Sequence, residues 1–179
     1  MCKIVACSLA AMLGFISSPV LAEGGTYQIE LIVFTQAMPT TEVFDQAAQP
    51  TQWPPDLTEL SAYKKPDATT LDDSYAALSK DPAYQAILYA AWIQPVAGAD
   101  GLSVPVHIQG AEGKLNGYVR MQQGQGLQMI VDFELAANPG DGSGKSIGYR
   151  LNEKRPVKLN EVYYLDHPKF GVVAKISSL

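Results

Sequence analysis

Apolar and polar residues alternate through most of the second half of the chain, and this period of two constrains the fold more than any other sequence feature. Three runs show it, at residues 102–109, 115–122 and 127–135. The alternation is typical of strands with one buried and one solvated face, because successive side chains of a strand point to opposite sides. Gly-rich tips at residues 123–126 and 138–144 separate neighbouring runs. We therefore predict antiparallel strands connected by hairpins.

Further strand patterns lie on either side of these runs. Residues 27–34 form a strongly apolar first strand, residues 147–151 open another, and residues 159–176 form two strands around a tight turn. These patterns bring the total to about seven strands. A proline cannot donate a hydrogen bond to a ladder, so we expect the strand that contains Pro105 to lie at an open sheet edge.

A short helix is predicted between the first and second strands. Leu71, Tyr75 and Leu78 share one face at helical spacing, and Thr70 can cap the start of the helix. Asp72 and the residue after it place negative charge at the positive end of the helix dipole. The helix should therefore lie with one apolar face on the sheet.

The end of the helical region is ambiguous. Residues 81–82 allow a second helical turn, but the residues after them alternate as a strand would. We predict helix to about Gln85 and strand from Leu88. The fold class is then α+β: a mostly antiparallel sheet of about seven strands with one or two short helices after the first strand.

A Pro-rich loop is predicted at residues 37–69, where five prolines lie among Thr, Gln and Asp residues. Loops of this length in compact domains are usually functional or irregular. Trp53, directly before Pro54 and Pro55, is the residue that we expect to anchor the loop. The indole either packs on the domain surface or stacks on a ligand, and both interpretations stay open.

The first 22 residues have the form of a cleavable signal peptide. Lys3 gives a cationic start, an apolar run follows at residues 4–16, and Val20 and Ala22 match a cleavage-site pattern. The run is shorter than the roughly 20 residues that span a bilayer. We therefore expect export to a bacterial periplasm, no membrane span after cleavage, and a single domain at residues 23–179.

Composition argues against several classes of function. Cys2 and Cys7 lie in the predicted signal peptide, so the rest of the chain has no thiol for a disulfide, a nucleophile or a metal site. His107 and His167 are far apart in the sequence, so we expect neither metal nor cofactor. The net charge of −5 argues against nucleic acid and anionic membrane surfaces as partners, because basic groups bind both.

The polar sides of the middle strands suggest one ligand-binding surface. Its candidate residues are His107, Asn116, Tyr118, Arg120, Gln128, Asp132, Arg150 and Asn152. Amides, guanidinium groups and a tyrosine on a rigid sheet suit sugar hydroxyls and peptide carboxylates. From the whole chain we select five ligand-binding candidates: Asn116, Tyr118, Arg120, Arg150 and Trp53. The competing interpretation is an ordinary solvated sheet face.

Two pairs of residues resemble catalytic pairs but have stronger structural explanations. Asp132 and Glu134 lie two residues apart on one face, as the carboxylates of a glycoside hydrolase would, but many surface strands share this spacing. Asp166 and His167 are adjacent, and no Gly-x-Ser-x-Gly motif accompanies them. We therefore expect no catalytic residues and no enzyme activity.

The sequence from Asp166 to Gly171 is interpreted as the chemistry of a demanding hairpin turn. Asp166 can accept backbone hydrogen bonds, His167 tolerates unusual backbone angles, and Pro168 fixes φ. We expect Gly171 to relieve the exit from the turn. These four residues are therefore predicted to be structural.

Four motifs give the chain a family resemblance. They read Tyr27-x-Ile-Glu-Leu-Ile-Val-Phe34, Leu88-x-x-Ala-Trp92-x-Gln-Pro95, Leu115-x-Gly117 and Tyr164-Leu-Asp-His-Pro-x-Phe-Gly171. Together they resemble the CsiV-type peptidoglycan-binding family of exported bacterial cell-shape-integrity proteins. The resemblance runs from residue 27 to residue 176, and the last motif is its most specific part. The chain departs from the family pattern in a reduced middle region and in Tyr89, where members often carry histidine.

The resemblance implies a non-catalytic periplasmic protein that binds peptidoglycan and supports cell-wall synthesis and cell shape. It also implies that a class A penicillin-binding protein is assisted through an outer-membrane lipoprotein partner. The alternative is a periplasmic protein–protein adaptor without direct wall binding, which Trp53 in the Pro-rich loop and an open edge at Pro105 would suit. The resemblance assigns no binding residue.

Overall fold

The computed structural model describes residues 24–36, 51–98, 102–136 and 148–179 of the chain. The predicted signal peptide at residues 1–22, the Gly-rich tip at residues 138–144 and the first part of the Pro-rich loop lie outside these ranges. The described part contains one α-helix, α1 (Asp72–Lys80), and nine strands. The strands are β1 (Gly25–Gln36), β2 (Thr58–Glu59), β3 (Tyr84–Val96), β4 (Val106–Gly110), β5 (Leu115–Gln123), β6 (Leu127–Ala136), β7 (Gly148–Pro156), β8 (Val162–His167) and β9 (Phe170–Ser178).

The strands form two sheets instead of the single predicted sheet of about seven strands. A four-stranded sheet has the order β3-β1-β9-β8, and a five-stranded sheet has the order β2-β4-β5-β6-β7. All pairings are antiparallel except the two-residue pairing of β2 with β4. The fold is therefore mostly antiparallel as predicted, but the division into two layers is a correction. Alternation shows that a strand has one buried face, but not which sheet the strand joins.

The core lies between the two sheets. Its buried apolar residues come from both layers, for example Leu31, Trp92 and Val172 from the four-stranded sheet and Val119 and Val131 from the five-stranded sheet. Each of these five side chains is fully buried. The alternation in the sequence thus corresponds to two inner faces packed on one another, as in a β-sandwich.

Helix α1 covers the outer face of the four-stranded sheet. Ile32 on β1 points away from the sandwich core and is fully buried, as is Leu71 directly before the helix. The ring of Tyr75 on α1 stacks on that of Tyr89 on β3, with centroids 5.4 Å apart. The helix follows β2 in the chain, so its predicted position directly after the first strand is wrong. The two-residue β2, inside the Pro-rich segment, has no alternation that could have predicted it.

The ambiguous region after the helix is strand from an earlier point than predicted. Residues 81–83 form a turn in which the N–H of Tyr84 donates to the carbonyl of Asp81 at 3.0 Å. Strand β3 then begins at Tyr84, which pairs with Gln36, so the predicted helix to Gln85 is wrong. The alanines favour helix locally, but pairing along the whole of β1 outweighs that preference.

The expected open edge at Pro105 is covered. Strand β4 begins after this proline, and the N–H of Thr58 on β2 donates to the carbonyl of Pro105 at 2.9 Å. Upstream, the hydroxyl of Ser103 donates to the carbonyl of Met121 at 2.6 Å. The proline therefore precedes an edge that β2 closes, and the adaptor interpretation loses one of its two supports.

The C-terminal strands β8 and β9 form a hairpin with Pro168 and Lys169 between them. Gly171 lies in β9 and pairs with Asp166, so it does not form the exit from the turn. A Cβ at Gly171 would lie 2.6 Å from Cζ of Phe34. The ring of Phe34 in turn stacks on that of Tyr164 at 6.1 Å. Gly171 is therefore explained by the space that two aromatic rings need, which corrects the predicted role.

Candidate functional site

The outer side of the five-stranded sheet forms one continuous polar face. Residues directly opposite each other on antiparallel strands point to the same side of a sheet. His107 lies opposite Tyr118, Tyr118 opposite Asp132, and Asp132 opposite Asn152, so these four form a row across four strands. Neighbouring rows bring in the other candidates from the sequence. We define the polar face by its eight members: His107, Asn116, Tyr118, Arg120, Gln128, Asp132, Arg150 and Asn152.

Residues 51–59 of the Pro-rich segment cross this polar face. The indole of Trp53 meets the ring of Tyr118 edge-on, with centroids 6.1 Å apart and planes at 85°. Further along, a carboxylate oxygen of Asp56 lies 3.4 Å from Arg120 Nη2. The structure thus brings all five ligand-binding candidates of the sequence together on one side of one sheet. Trp53 packs on a neighbouring candidate in this arrangement.

Arg120 and Tyr118 form the centre of the polar face. The guanidinium carbon of Arg120 lies 5.8 Å from the ring centroid of Tyr118, within the range of a cation–π contact. Burial and the nearby Asp132 carboxylate raise the pKa of Tyr118, so its phenol stays protonated and can donate a hydrogen bond. Arg120 Nε and Gln128 Oε1 are buried with no hydrogen-bond partner among the described residues. Both atoms lie beneath the surface of the face, so the groups that a ligand can reach are the outer atoms of these side chains.

Asp132 and Arg150 form a paired ion bridge. Arg150 donates from Nε to one oxygen of Asp132 at 2.8 Å and from Nη2 to the other at 2.7 Å. The hydrogen bonds to Asp132 raise the pKa of Arg150, although partial burial opposes the shift. Asp132 is 3% exposed, so its charge is neutralised almost entirely inside the protein. Asp132 is one of the two carboxylates of the glycoside-hydrolase hypothesis, and both of its oxygens already accept hydrogen bonds from Arg150.

His107 connects the polar face to strand β2. Its Nδ1 lies 2.7 Å from Oε1 of Glu59, and its Nε2 lies 2.8 Å from Oδ1 of Asn116. Burial lowers the pKa of His107, but the contacts with Glu59 and Asn116 outweigh it and the net shift is upward. A protonated imidazole would donate to both acceptors at once. This side of the face can therefore carry positive charge next to a carboxylate.

The Asp166-His167 pair lies elsewhere, at the tip of the β8–β9 hairpin. One oxygen of Asp166 accepts hydrogen bonds from the Tyr164 hydroxyl at 2.7 Å and from Gln36 Nε2 at 2.9 Å. His167 Nδ1 accepts the backbone N–H of Lys169 at 3.2 Å, and burial lowers the pKa of this imidazole. These contacts connect the hairpin to the end of β1. They give the pair a local structural explanation, in which Asp166 does not orient the imidazole.

A cleft of about 630 Å³ lies beside the polar face, where the edge of β3 approaches the edge of β4. We call it the edge cleft, and its polar and aromatic lining includes Glu59, Tyr63, Lys65, Tyr89, His107 and Gln109. Sequence reasoning missed this site, since Tyr89 was treated only as a departure from a family pattern. The only sequence feature that could have indicated this cleft was the ambiguous strand pattern at residues 84–94. Its assignment as an edge strand required the tertiary pairing.

Neither a metal-ion site nor a membrane-spanning helix is present in the described ranges. Residues 24–36, 51–98, 102–136 and 148–179 contain no group of three His, Cys, Asp or Glu side chains that could hold a metal ion. The same ranges contain no helix that is long and apolar enough to cross a membrane. The polar face carries aromatic rings, guanidinium groups and amides, which suit sugars and carboxylates.

Comparison with known proteins identifies one family. No curated protein and no solved structure matches the chain significantly. A family model described as "Peptidoglycan-binding protein, CsiV" matches residues 56–179, which is more than half of the chain. The match includes the motifs that begin at Leu88, Leu115 and Tyr164, whereas the first-strand motif lies before it. The resemblance expected from the sequence is confirmed, and the chain belongs to the CsiV family of peptidoglycan-binding proteins.

Proposed function

We propose that this protein binds peptidoglycan in the periplasm and supports cell-wall synthesis and cell shape without catalysing a reaction. Its membership of a family described as peptidoglycan-binding is the observation that carries the proposal. The apolar run behind Lys3, followed by the pattern of Val20 and Ala22, supports export. Peptidoglycan lies in the compartment to which such a signal leads.

The polar face is the surface that we assign to this binding. Tyr118 and Trp53 supply ring surface for a sugar, and Arg120 and Arg150 supply planar donors for hydroxyl or carboxylate oxygens. The Arg120 side chain is 17% exposed, and among the described residues its Nη2 makes only a long 3.4 Å contact with the exposed Asp56, which a ligand oxygen could replace. A rigid sheet holds these groups in place, which lowers the entropy cost of binding.

The absence of catalysis in the proposal is supported by the state of Asp132. General acid catalysis of glycoside hydrolysis requires a carboxyl group that can be protonated near neutral pH. Asp132 instead accepts a hydrogen bond from Arg150 at each of its two oxygens, so neither oxygen is free to face a glycosidic bond. A zymogram on wall material should therefore show no clearing, and clearing would contradict this part of the proposal.

Retention on purified sacculi tests wall binding. The chain from residue 23 onward should sediment with sacculi at moderate salt, and Trp53→Ala, Tyr118→Ala and Arg120→Ala should each weaken retention by about tenfold, the equivalent of roughly 1.4 kcal/mol. Lys80→Ala is the matched control, since Lys80 is exposed at the end of α1, which packs on the other sheet. No retention of the unaltered chain would refute wall binding. Unchanged retention in all three variants would refute the assigned surface.

A partner protein is the second part of the proposal. We infer that an outer-membrane lipoprotein which activates a class A penicillin-binding protein connects the chain to wall synthesis, as the family resemblance implies. The described structure offers an accessible edge for such a contact. Val162 and Tyr164 on the edge strand β8 are 56% and 45% exposed, respectively.

The same edge favours the second candidate function, a protein–protein adaptor without wall binding. Exposed apolar side chains on an edge strand are a common basis for protein contacts. Co-purification of a partner without retention on sacculi would select the adaptor. Val162→Lys should then abolish co-purification, whereas Lys80→Ala, at the exposed end of α1, should not.

A further inference from the structure

Strand β3 forms one edge of the four-stranded sheet, and part of its backbone faces outward. Ile93 donates its N–H outward to the carbonyl of Lys64 at 2.9 Å. Backbone groups of alternate residues in a strand point to the same side, so Tyr89 and Ala91 also direct their N–H and C=O groups outward. Among the described residues these outward groups have no backbone partner. They form part of the wall of the edge cleft.

Strand β4 faces β3 across the same cleft. Strand β2 pairs with β4 only at Val106 and His107, so the backbone at Gln109 lies beyond the end of this pairing. A Cβ at Gly110 would lie 3.5 Å from Cβ of Leu88, which shows that the two strands converge at this end. The edge cleft therefore lies between two strand edges that both have backbone donors and acceptors to offer.

The remaining lining adds charge and ring surface. Lys65 is exposed at the cleft, and His107 lies beside it with Glu59 as its partner. The phenols of Tyr63 and Tyr89 are partly buried there. The volume of about 630 Å³ is in the range of small-ligand sites. A ligand of a few residues would fit, and a carboxylate of the ligand would meet the exposed ammonium group of Lys65, whereas both ring nitrogens of His107 already contact Glu59 and Asn116.

We propose that the edge cleft binds the stem peptide of peptidoglycan as a short extended segment. The stem would add backbone hydrogen bonds to the outward groups of Tyr89, Ala91 and Gln109, and a free carboxylate of the stem would lie towards Lys65. The inference rests on the proposed function and narrows it to a second site and one wall component.

A row of strand N–H and C=O groups complements amides, which is why the cleft suits a peptide better than a glycan. Peptides bind to open strand edges through such backbone hydrogen bonds, at the spacing that the strand sets. A glycan strand has hydroxyls and ring faces instead, which the polar face with Trp53 and Tyr118 matches. The edge cleft thus suits the peptide part of the wall, and the polar face suits its glycan part.

Direct titration tests the inference. A synthetic stem tetrapeptide with free carboxylates should bind the chain from residue 23 onward, whereas peptide-free glycan strands should not bind at the cleft. Lys65→Glu should weaken tetrapeptide binding at least tenfold, because it replaces an attraction by a repulsion. Lys158→Glu makes the same change of charge away from the cleft and should leave the affinity unchanged.

Gln109→Pro provides a second variant. Proline removes the outward N–H of residue 109 and is tolerated on an edge where that group makes no ladder bond. We expect this variant to weaken tetrapeptide binding at least fivefold while it retains its sacculus binding through the polar face. Circular dichroism and the melting temperature would verify that both variants are folded.

The outcomes separate the two proposals. Retention on sacculi without tetrapeptide binding overturns the cleft inference and leaves the proposed function in place. Tetrapeptide binding that neither Lys65→Glu nor Gln109→Pro weakens also overturns it, as does equal binding of an unrelated all-L tetrapeptide of the same charge. Absence of sacculus retention overturns the proposed function. The tetrapeptide titration then tests separately whether the edge cleft binds the stem peptide.

Discussion

The buried carboxylate of Glu30 accepts two hydrogen bonds from Thr70, one from its backbone N–H at 2.8 Å and one from its hydroxyl at 2.7 Å. The N–H of Leu71 adds a third at 3.1 Å, directly before α1 begins. Glu30 is fully buried on β1. Leu71, which directly precedes α1, makes no capping hydrogen bond with its own side chain. A strand residue 40 positions earlier therefore takes the capping role that the sequence assigned to Thr70.

Glu30→Gln should destabilise the protein by about 3 kcal/mol, because an amide replaces one of two charged acceptors and leaves buried donors without partners. Urea denaturation of the variant and the unaltered chain would measure the difference. Asp67→Asn makes the same chemical change at an exposed position and should alter the free energy of unfolding by less than about 0.5 kcal/mol. A difference below that limit for Glu30→Gln would contradict the importance of this cap.

The stabilisation from Glu30 should depend on pH. Burial opposes its ionisation, but the hydrogen bonds from Thr70, Gln28 and Leu71 outweigh burial and hold the pKa of Glu30 below its ordinary value of 4.5. Because the pKa is lower in the folded state, the stabilisation is fully present above pH 4.5 and is lost as the pH falls through the folded-state pKa.

Urea denaturation between pH 3 and pH 7 tests this dependence. The free energy of unfolding should fall more steeply with decreasing pH in the unaltered chain than in Glu30→Gln, because the variant has no proton to bind at this site. The difference in the free energy of unfolding between the two proteins should therefore narrow below about pH 4.5. A gap that stays constant across this range would contradict the assignment.

Gly171→Ala should destabilise the protein by about 1–3 kcal/mol, because the added Cβ meets the ring of Phe34 in a packed cluster. That cost corresponds to a fall in the melting temperature of roughly 3–10 °C for a chain of this size. Gly126→Ala is the matched control, because a Cβ there would have nothing within 4 Å. Equal melting temperatures of the two variants would show that the rings can move aside.

Arg150→Ala should cost about 2–4 kcal/mol of stability, because it leaves the buried carboxylate of Asp132 without its two donors. Arg150→Lys should recover only part of this loss, because an ammonium group cannot reproduce two parallel hydrogen bonds. Urea denaturation of both variants would measure these losses of stability. Lys158→Ala breaks an exposed contact with Glu161 and should change stability by less than about 0.5 kcal/mol. Similar values for Arg150→Ala and Lys158→Ala would refute the structural role of the bridge.

The candidate site could be predicted from the sequence to a useful extent. Strand parity alone places Tyr118, Arg120 and Asp132 on one face, because alternation within a strand and direct pairing between strands leave few choices. The bridge between Asp132 and Arg150 could not be predicted, since it depends on which strand lies beside β6. The edge cleft depends on the approach of two strands from different sheets, and local pattern contains no information about that approach.

The sequence by itself determined that the second half of the chain forms antiparallel strands, that a helix lies at Asp72–Lys80, and which family the chain belongs to. Each of these can be recognised from local periodicity or from short motifs. Tertiary structure alone decided the division into two sheets, the strand conformation of Tyr84 and the position of Trp53 on Tyr118. It also decided that Glu30 caps α1. These features depend on contacts between residues that are distant in the chain, and burial and pairing energies there outweigh local preferences.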